Sequence, residues 1–479
     1  MVYNREIESF IRDFVKDLAE NNVAVFAGAG MSKSVGYVSW ADLLREIAEE
    51  VGLSVDKEYD LISLAQYHVN EHGGGKAKIN RKILEEFAQE AESSENHKII
   101  ARLPITTFWT TNYDTLIEDS IKAANKVVDV KYQIKQLANT RPKRDVVIYK
   151  MHGDVHHPAD AILTKEQYES YYRTHEHFIT ALSGDLISKT FLFIGFSFTD
   201  PNLDYVLSRL NIQFGENNRQ HFCFIKKQGK GSDDDEMFKY NLRKQELMIN
   251  DLKRYKIKAL VVDDYHDITE ILKEIEKRFR MKTVFISGSA EEYGTWNRNE
   301  AQSFIHLLSK NIISVGFRIV NGFGWGVGSA VINGALEAVY EKPDRFSEDQ
   351  LIMKPFPQYE TGEKKLHELW EEYRQKMISL AGISVIIFGN KKDDKGNILP
   401  ANGVKREFEI AISLGLIPIP IAATGYVTQE IFDLIIKDAK KIYSGNEWII
   451  PIVEELASDK LSPDEIIKKV ITIIQTINK

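Results

Sequence analysis

Cysteine is nearly absent: the 479 residues contain one, Cys223, inside the apolar "HFCFIKK". That count excludes a disulfide framework and any zinc site built on cysteine, and it leaves Cys223 as a buried strand thiol. Basic charge is also short. With 62 Lys and Arg against 70 Asp and Glu the formal net charge is −8, which argues against a nucleic-acid partner because no cationic surplus is available to neutralise phosphates. Long apolar runs are missing too. Stretches such as "TFLFIGFSF" fall well short of the roughly 20 residues a spanning helix needs, and the acidic "MVYNREIESFIRDF" has no apolar signal core. A cytoplasmic location without membrane contact is therefore expected. Finally, "GAGMS" at 28–32 follows an apolar run but has neither a P-loop GK[ST] ending nor a clean GxGxxG.

What is present is alternation. The length calls for two domains. Ile7, Phe10, Ile11, Phe14 and Leu18 share one stripe of a helix over 4–20, which Asn21-Asn22 end. Strand-like runs follow at "VAVFAG", 106–112, 146–153, 190–197, 221–227 and 257–264, with a helical lobe inserted at 41–100 and helices between the rest. Strand–helix alternation of this kind predicts an α/β fold, a parallel sheet with helices on both faces. After the charged helix "DITEILKEIEKRFRMK" the chain restarts at "TVFISGSAEEYG", again a strand that delivers glycine. The boundary is placed at 281, giving domains 1–281 and 282–479, both Rossmann-like.

Four pieces of the first half lie at strand ends, where open α/β sheets bind ligands: "GAGMS" (28–32), "TTNYD" (110–114), "MHGD" (151–154) and "GFSFTDPN" (195–202). Each alone has a plain structural explanation; "DPN" is a turn and a helix start. Together and in this order they resemble the sirtuin (SIR2) family over roughly residues 8–275. The resemblance implies NAD+ as substrate, with Gly28, Ala29, Gly30 and Ser32 around its phosphates. It also implies Asp114 near the nicotinamide ribose and Gly195, Phe196 and Ser197 along the dinucleotide. Asn112 is then the amide that orients water or ribose, and His152 the base. Both residue types suit a cleavage with an oxocarbenium-like sugar, in which a positioned amide and a base of near-neutral pKa do the work. Asp114 has a second reading, as a cap on the helix that follows. Deacylating sirtuins carry a four-cysteine zinc ribbon after the HG pair. Residues 154–194 have no cysteine, so water is the favoured acceptor and NAD+ hydrolysis the favoured reaction, with an NAD-dependent deacylase as the alternative. His156, His157, His175 and His177 lack a ligand spacing, and no metal is expected. The Tyr-rich 165–178 reads either as a lid or as a surface helix.

The second half resembles the SLOG superfamily over roughly 283–479, through "ISGSA", "NGFGWGVGSAVINGALE", "FGNKK" and "GVKREFEIA". A helix beginning near Ser329 follows the glycine loop. The family's PGGxGTxxE is here "LPANGVKREFE", which points to a sensor pocket rather than a hydrolase. The implied ligand contacts are Ser287, Gly288, Gly322, Phe323, Gly324, Arg374, Lys391 and Glu407. A SIR2-like half followed by a SLOG-like half resembles the effectors of Thoeris antiphage defence. That resemblance implies a homo-tetramer open to higher assembly, activated by a cyclic ADP-ribose isomer that a TIR-domain partner makes, and defence by NAD+ depletion.

Overall fold

A computed structural model describes residues 3–58, 60–88, 91–231, 233–360 and 362–478. The chain divides into two compact units, Met1–Glu276 and Lys277–Lys479. The division falls inside the helix Tyr265–Met281, whereas the sequence reading set it at that helix's end.

The first unit is built on seven parallel strands: β1 (Val23–Ala27), β2 (Thr107–Thr110), β3 (Val128–Lys131), β4 (Val146–Lys150), β5 (Thr190–Ile194), β6 (His221–Lys226) and β7 (Ile257–Val262). Their order is β3-β4-β2-β1-β5-β6-β7. Every residue of β1 and of β5 is buried, as unbroken apolar runs require when helices cover both faces of a parallel sheet. The helix Arg5–Ala19 starts at Asn4, whose side chain accepts from the N–H groups of Glu6 and Ile7. It lays Phe10 against Phe222 and Phe224 of β6 at 4.7 and 5.8 Å between ring centres. Cys223 in the same strand is buried, and burial pushes its thiol up to about 12. The expected lobe consists of the helices Trp40–Glu50, Leu61–Glu71, Ala77–Phe87 and Glu95–Arg102. The strand β3 is absent from the sequence reading because Asp129 and Lys131 leave it without an apolar run. The two charges pair at 2.9 Å and are buried together at the sheet's edge.

The second unit has five parallel strands, β8 (Thr283–Ser289), β9 (Arg318–Asn321), β10 (Leu351–Met353), β11 (Ile383–Phe388) and, after the antiparallel pair β12 (Asn390–Lys392) and β13 (Ile398–Pro400), β14 (Ile417–Pro420). The order is β10-β9-β8-β11-β14. β14 contains Pro418 and Pro420 and lies at the edge, where a missing N–H is tolerated. The glycine loop's helix runs Gly328–Glu341, within a residue of the predicted start.

One buried cation organises the first unit's functional edge. Lys150, the last residue of β4, is fully buried. Its ammonium donates to the carbonyls of Tyr113 and Asp114 at 3.0 and 2.6 Å and to Asp154 Oδ2 at 2.7 Å, and lies 3.0 Å from Glu118. Burial opposes its charge, but the two carboxylates outweigh burial and hold its pKa above the usual lysine range. Lys150→Met should lower stability by about 3–5 kcal/mol, the cost of stranding buried charges, read as a lower urea midpoint by fluorescence; an unchanged midpoint would show that the cluster contributes nothing.

Candidate functional site

Strand register assembles the first site. Ala27 pairs with both Thr110 and Ile194, and Thr110 with Lys150, so the four loops leave adjacent strands at one level. β1 and β5 flank the point where the chain reverses its direction across the sheet, the place where such sheets bind ligands. Asn112 and His152 each stand two residues beyond the paired Thr110 and Lys150, with the same parity. The Met151 N–H still donates to the Thr110 carbonyl at 2.9 Å.

The polar groups of these loops interlock. Asn112 is buried, and its Nδ2 donates to the Gly28 carbonyl at 3.2 Å and to Ser32 Oγ at 3.0 Å. Ser32 Oγ in turn donates to Asp114 Oδ2 at 2.7 Å. The other Asp114 oxygen accepts the Leu116 N–H at 3.1 Å, so Asp114 bonds the first turn of the helix Leu116–Ala123 from the position before its N-cap, Thr115. The glycines serve loop-to-loop packing. The Gly28 and Gly30 N–H groups donate to the carbonyls of Ile194 and Gly195, and a Cβ on Gly28 would stand 2.4 Å from the Gly195 oxygen. Two amides expected to hold a pyrophosphate are thus engaged within the protein. Ala29, exposed between them, has an N–H with no backbone acceptor among the described residues. Gly195 has φ +66°, and a Cβ there would stand 2.4 Å from the Met31 nitrogen. Phe196 packs edge-on to Phe26 at 4.9 Å, and exposed Ser197 bonds to Thr199. Phe198 holds φ +58° in this loop, a backbone cost that a non-glycine residue sustains where the surrounding contacts over-determine it.

His152 is held on three sides. Its Nε2 is 3.2 Å from Asp200 Oδ2, and the carboxylate fixes the proton on that nitrogen. The Nδ1 lone pair faces the Tyr168 hydroxyl at 3.3 Å. Tyr168 and Tyr171 stand edge-on to the ring at 5.2 and 6.3 Å, and Asn202 Nδ2 lies 3.4 Å from Nε2. Burial lowers the His152 pKa, with Asp200 pulling the other way; the imidazole is neutral at pH 7. Asp200 itself caps the helix Pro201–Phe214 by accepting from Asn202 and Leu203. The sequence reading took "DPN" as a turn and a helix start and missed the contact of Asp200 with His152, and it missed Tyr168. The segment 165–178 is not a plain surface helix: the helix Lys165–Thr174 buries Tyr171, which donates to the Met151 carbonyl at 3.0 Å. Among the described residues His156, His157, His175 and His177 do not gather into a metal-binding group.

In the second unit Glu407 is buried in the helix Asn402–Ser413 and accepts from Ser287 Oγ at 2.6 Å. Burial pushes its carboxyl up, against Ser287 and Arg374. Arg374 Nε lies 3.8 Å from Glu407, buried and without a hydrogen-bond partner among the described residues. Its guanidinium covers the Phe356 ring at 5.0 Å. Gly322, Gly324 and Gly288 again allow close packing: a Cβ on Gly324 would stand 2.0 Å from the Gly288 oxygen, and one on Gly322 2.8 Å from Phe356. Phe323 is exposed with φ +59°. Lys391 is exposed on β12, and among the described residues no hydrogen bond or ion pair brings it to the Arg374–Glu407 pair.

A family model described as a SIR2-like domain matches residues 106–248, and one described as the Sir2- and TIR-associating SLOG family matches residues 267–477. Several relatives bear the name NAD(+) hydrolase ThsA. That of Bacillus cereus (strain MSX-D12) is 49% identical over 480 residues, covering 100% of both chains. That of Cytobacillus dafuensis is 44% identical, covering 98% of this chain and 96% of its own. That of Acinetobacter baumannii (strain 532279) is 44% identical, covering 99% and 100%.

The Asp200 charge opposes the effect of burial on His152, so removing it should let burial act alone. Asp200→Asn is expected to move the His152 pKa further down, as read by the pH titration of its ring resonances in NMR. A pKa that rises or stays fixed would show that the carboxylate does not govern the imidazole.

Proposed function

The chain belongs to the NAD(+) hydrolase ThsA family, and on that premise we propose that its first unit hydrolyses NAD+ to ADP-ribose and nicotinamide when a cyclic ADP-ribose isomer binds the second. The observation that carries the catalytic half is the Asp200–His152 pair, on the strand end in register with the one that bears Asn112.

The nicotinamide–ribose bond breaks with a cationic leaving group, and the sugar develops oxocarbenium character. Asn112 has its Nδ2 anchored, which presents Oδ1 to a water or a ribose hydroxyl. His152 takes the proton on Nδ1, while Asp200 keeps the other nitrogen protonated and steadies the imidazolium. The Tyr168 hydroxyl, which burial keeps protonated, is what the substrate's hydroxyl or water displaces from Nδ1. Gly28, Ala29, Gly30, Ser32, Gly195, Phe196 and Ser197 line the dinucleotide's path, and Asp114 supports Ser32 from behind.

For the second unit, Arg374, whose buried Nε has no hydrogen-bond partner among the described residues, beside Glu407 and Ser287 supports recognition of a phosphorylated nucleotide, with exposed Phe323 offering a ring for stacking and exposed Lys391 a second cation. The TIR association in the family model's description supports a TIR-domain protein as the ligand's source. We read the whole as a homo-oligomeric effector of antiphage defence that acts by depleting NAD+. Ligand binding shifts the first site from a resting to an active state through its differential affinity for the two.

Pure protein given NAD+ should release nicotinamide with a cyclic ADP-ribose isomer present and little without one. His152→Ala and Asn112→Ala should each lose roughly 10²–10⁴-fold in turnover while still binding NAD+. No nicotinamide under any condition, or O-acetyl-ADP-ribose formed from an acylated peptide in its place, would overturn the hydrolase reading. Separately, Arg374→Ala should need at least about tenfold more activator for half-maximal rate, as expected when a charged hydrogen-bonding contact is lost. An unchanged activation curve would remove Arg374 from the sensor.

A further inference from the structure

The helical lobe between β1 and β2 holds a group of side chains that none of this chemistry uses. Among the described residues, Glu50, His68 and His72 bring one donor atom each within 4.8 Å of one another. Glu50 ends the helix Trp40–Glu50; His68 lies in the last turn of Leu61–Glu71 and His72 at its C-cap. The four-residue spacing sets the two imidazoles on one helix face, and their rings stack at 4.1 Å with a 22° tilt.

Three features make this a ligand set rather than a chance meeting. His72 Nδ1 is 2.8 Å from the His68 carbonyl, so it carries the proton and leaves the Nε2 lone pair available. An imidazole whose second nitrogen is tied to a backbone carbonyl is the arrangement that metal-ligating histidines adopt. His68 is 1% exposed, with Nε2 2.9 Å from Glu50 Oε2 and a buried Nδ1 that has no hydrogen-bond partner among the described residues. The nitrogen that meets Glu50 is Nε2, so a cation shared with Glu50 would sit on Nε2 and replace this ring–carboxylate hydrogen bond. Glu50 supplies a carboxylate; its other oxygen is taken by Lys78, which also lies 3.3 Å from Glu46. Lys78 therefore keeps a counter-charge if Glu50 turns to a cation.

We propose that Glu50, His68 and His72 hold a divalent transition-metal ion of the zinc type, with water in the fourth position. Two imidazoles and one carboxylate are the donors such ions take; magnesium and calcium prefer all-oxygen sets. The ion's role is to brace. It joins two helices of the lobe, and the second of them holds the segment beside His152: Ser63 accepts from Lys165 at 3.1 Å and Gln66 from the Glu166 N–H at 3.0 Å, one turn before Tyr168.

Full-length protein stripped with chelator should take up about one zinc per chain and raise its thermal midpoint on doing so. Cobalt(II) in its place should give the intense visible bands of a tetrahedral site. His72→Gln, at an exposed position, should keep the circular dichroism of the parent, lose at least about tenfold in zinc affinity and lose the thermal shift. Glu50→Gln should do the same. The proposal falls if the parent shows no saturable binding, if cobalt reports an octahedral environment, or if both variants bind as the parent does.

Discussion

The ammonium of Lys150 is the constraint on which the first unit's edge depends. It contacts the backbone of one loop, a carboxylate of another and a carboxylate on the intervening helix, all out of water. A lone buried ammonium would be prohibitive. Here Asp154 and Glu118 balance it, and Lys150 in turn opposes the upward push that burial exerts on the Glu118 carboxyl. The loops bearing Asn112 and His152 are consequently parts of one electrostatic unit. The same economy recurs above it: Asn112, Ser32 and Asp114 form a chain in which each donor has an acceptor, so the amide is oriented before any substrate arrives.

Much of this was legible in the sequence because periodicity and loop chemistry point the same way. Short unbroken runs rich in aromatic residues, such as "TFLFI", have the length and composition of interior strands, and a glycine pair after such a run marks a close approach. What the glycines approach was not legible. Gly28, Gly30 and Gly195 meet one another's backbones, which a one-dimensional reading cannot separate from an approach by a ligand. The strands β3 and β10 escaped for different reasons: the first hides a buried ion pair inside its alternation, and the second has three partly exposed residues. Asp200 and Tyr168 escaped because their partner lies 48 and 16 positions away, on another strand end. Capping geometry identifies Asp200 as a helix start, and only the fold shows its second oxygen on an imidazole.

Both units repeat one solution: a strand ends, glycine lets the next loop cross within contact distance, and a non-glycine residue takes a left-handed backbone beside it. Phe198 does so in the first unit; Phe323 and Phe388 do in the second. Such conformations persist where surrounding contacts over-determine them. Phe388 illustrates this, since its N–H donates to Thr424 Oγ1 and its carbonyl accepts from Thr428.

The buried thiol has a practical corollary. Maleimides and iodoacetamides react with thiolate, and Cys223 is shielded by the sheet and protonated across the working range of these reagents. The natural chain is therefore already a silent background for labelling. A cysteine introduced at any exposed position will carry a spin label or fluorophore alone, so distance changes on activation can be followed without first engineering the protein's own sulfhydryl away.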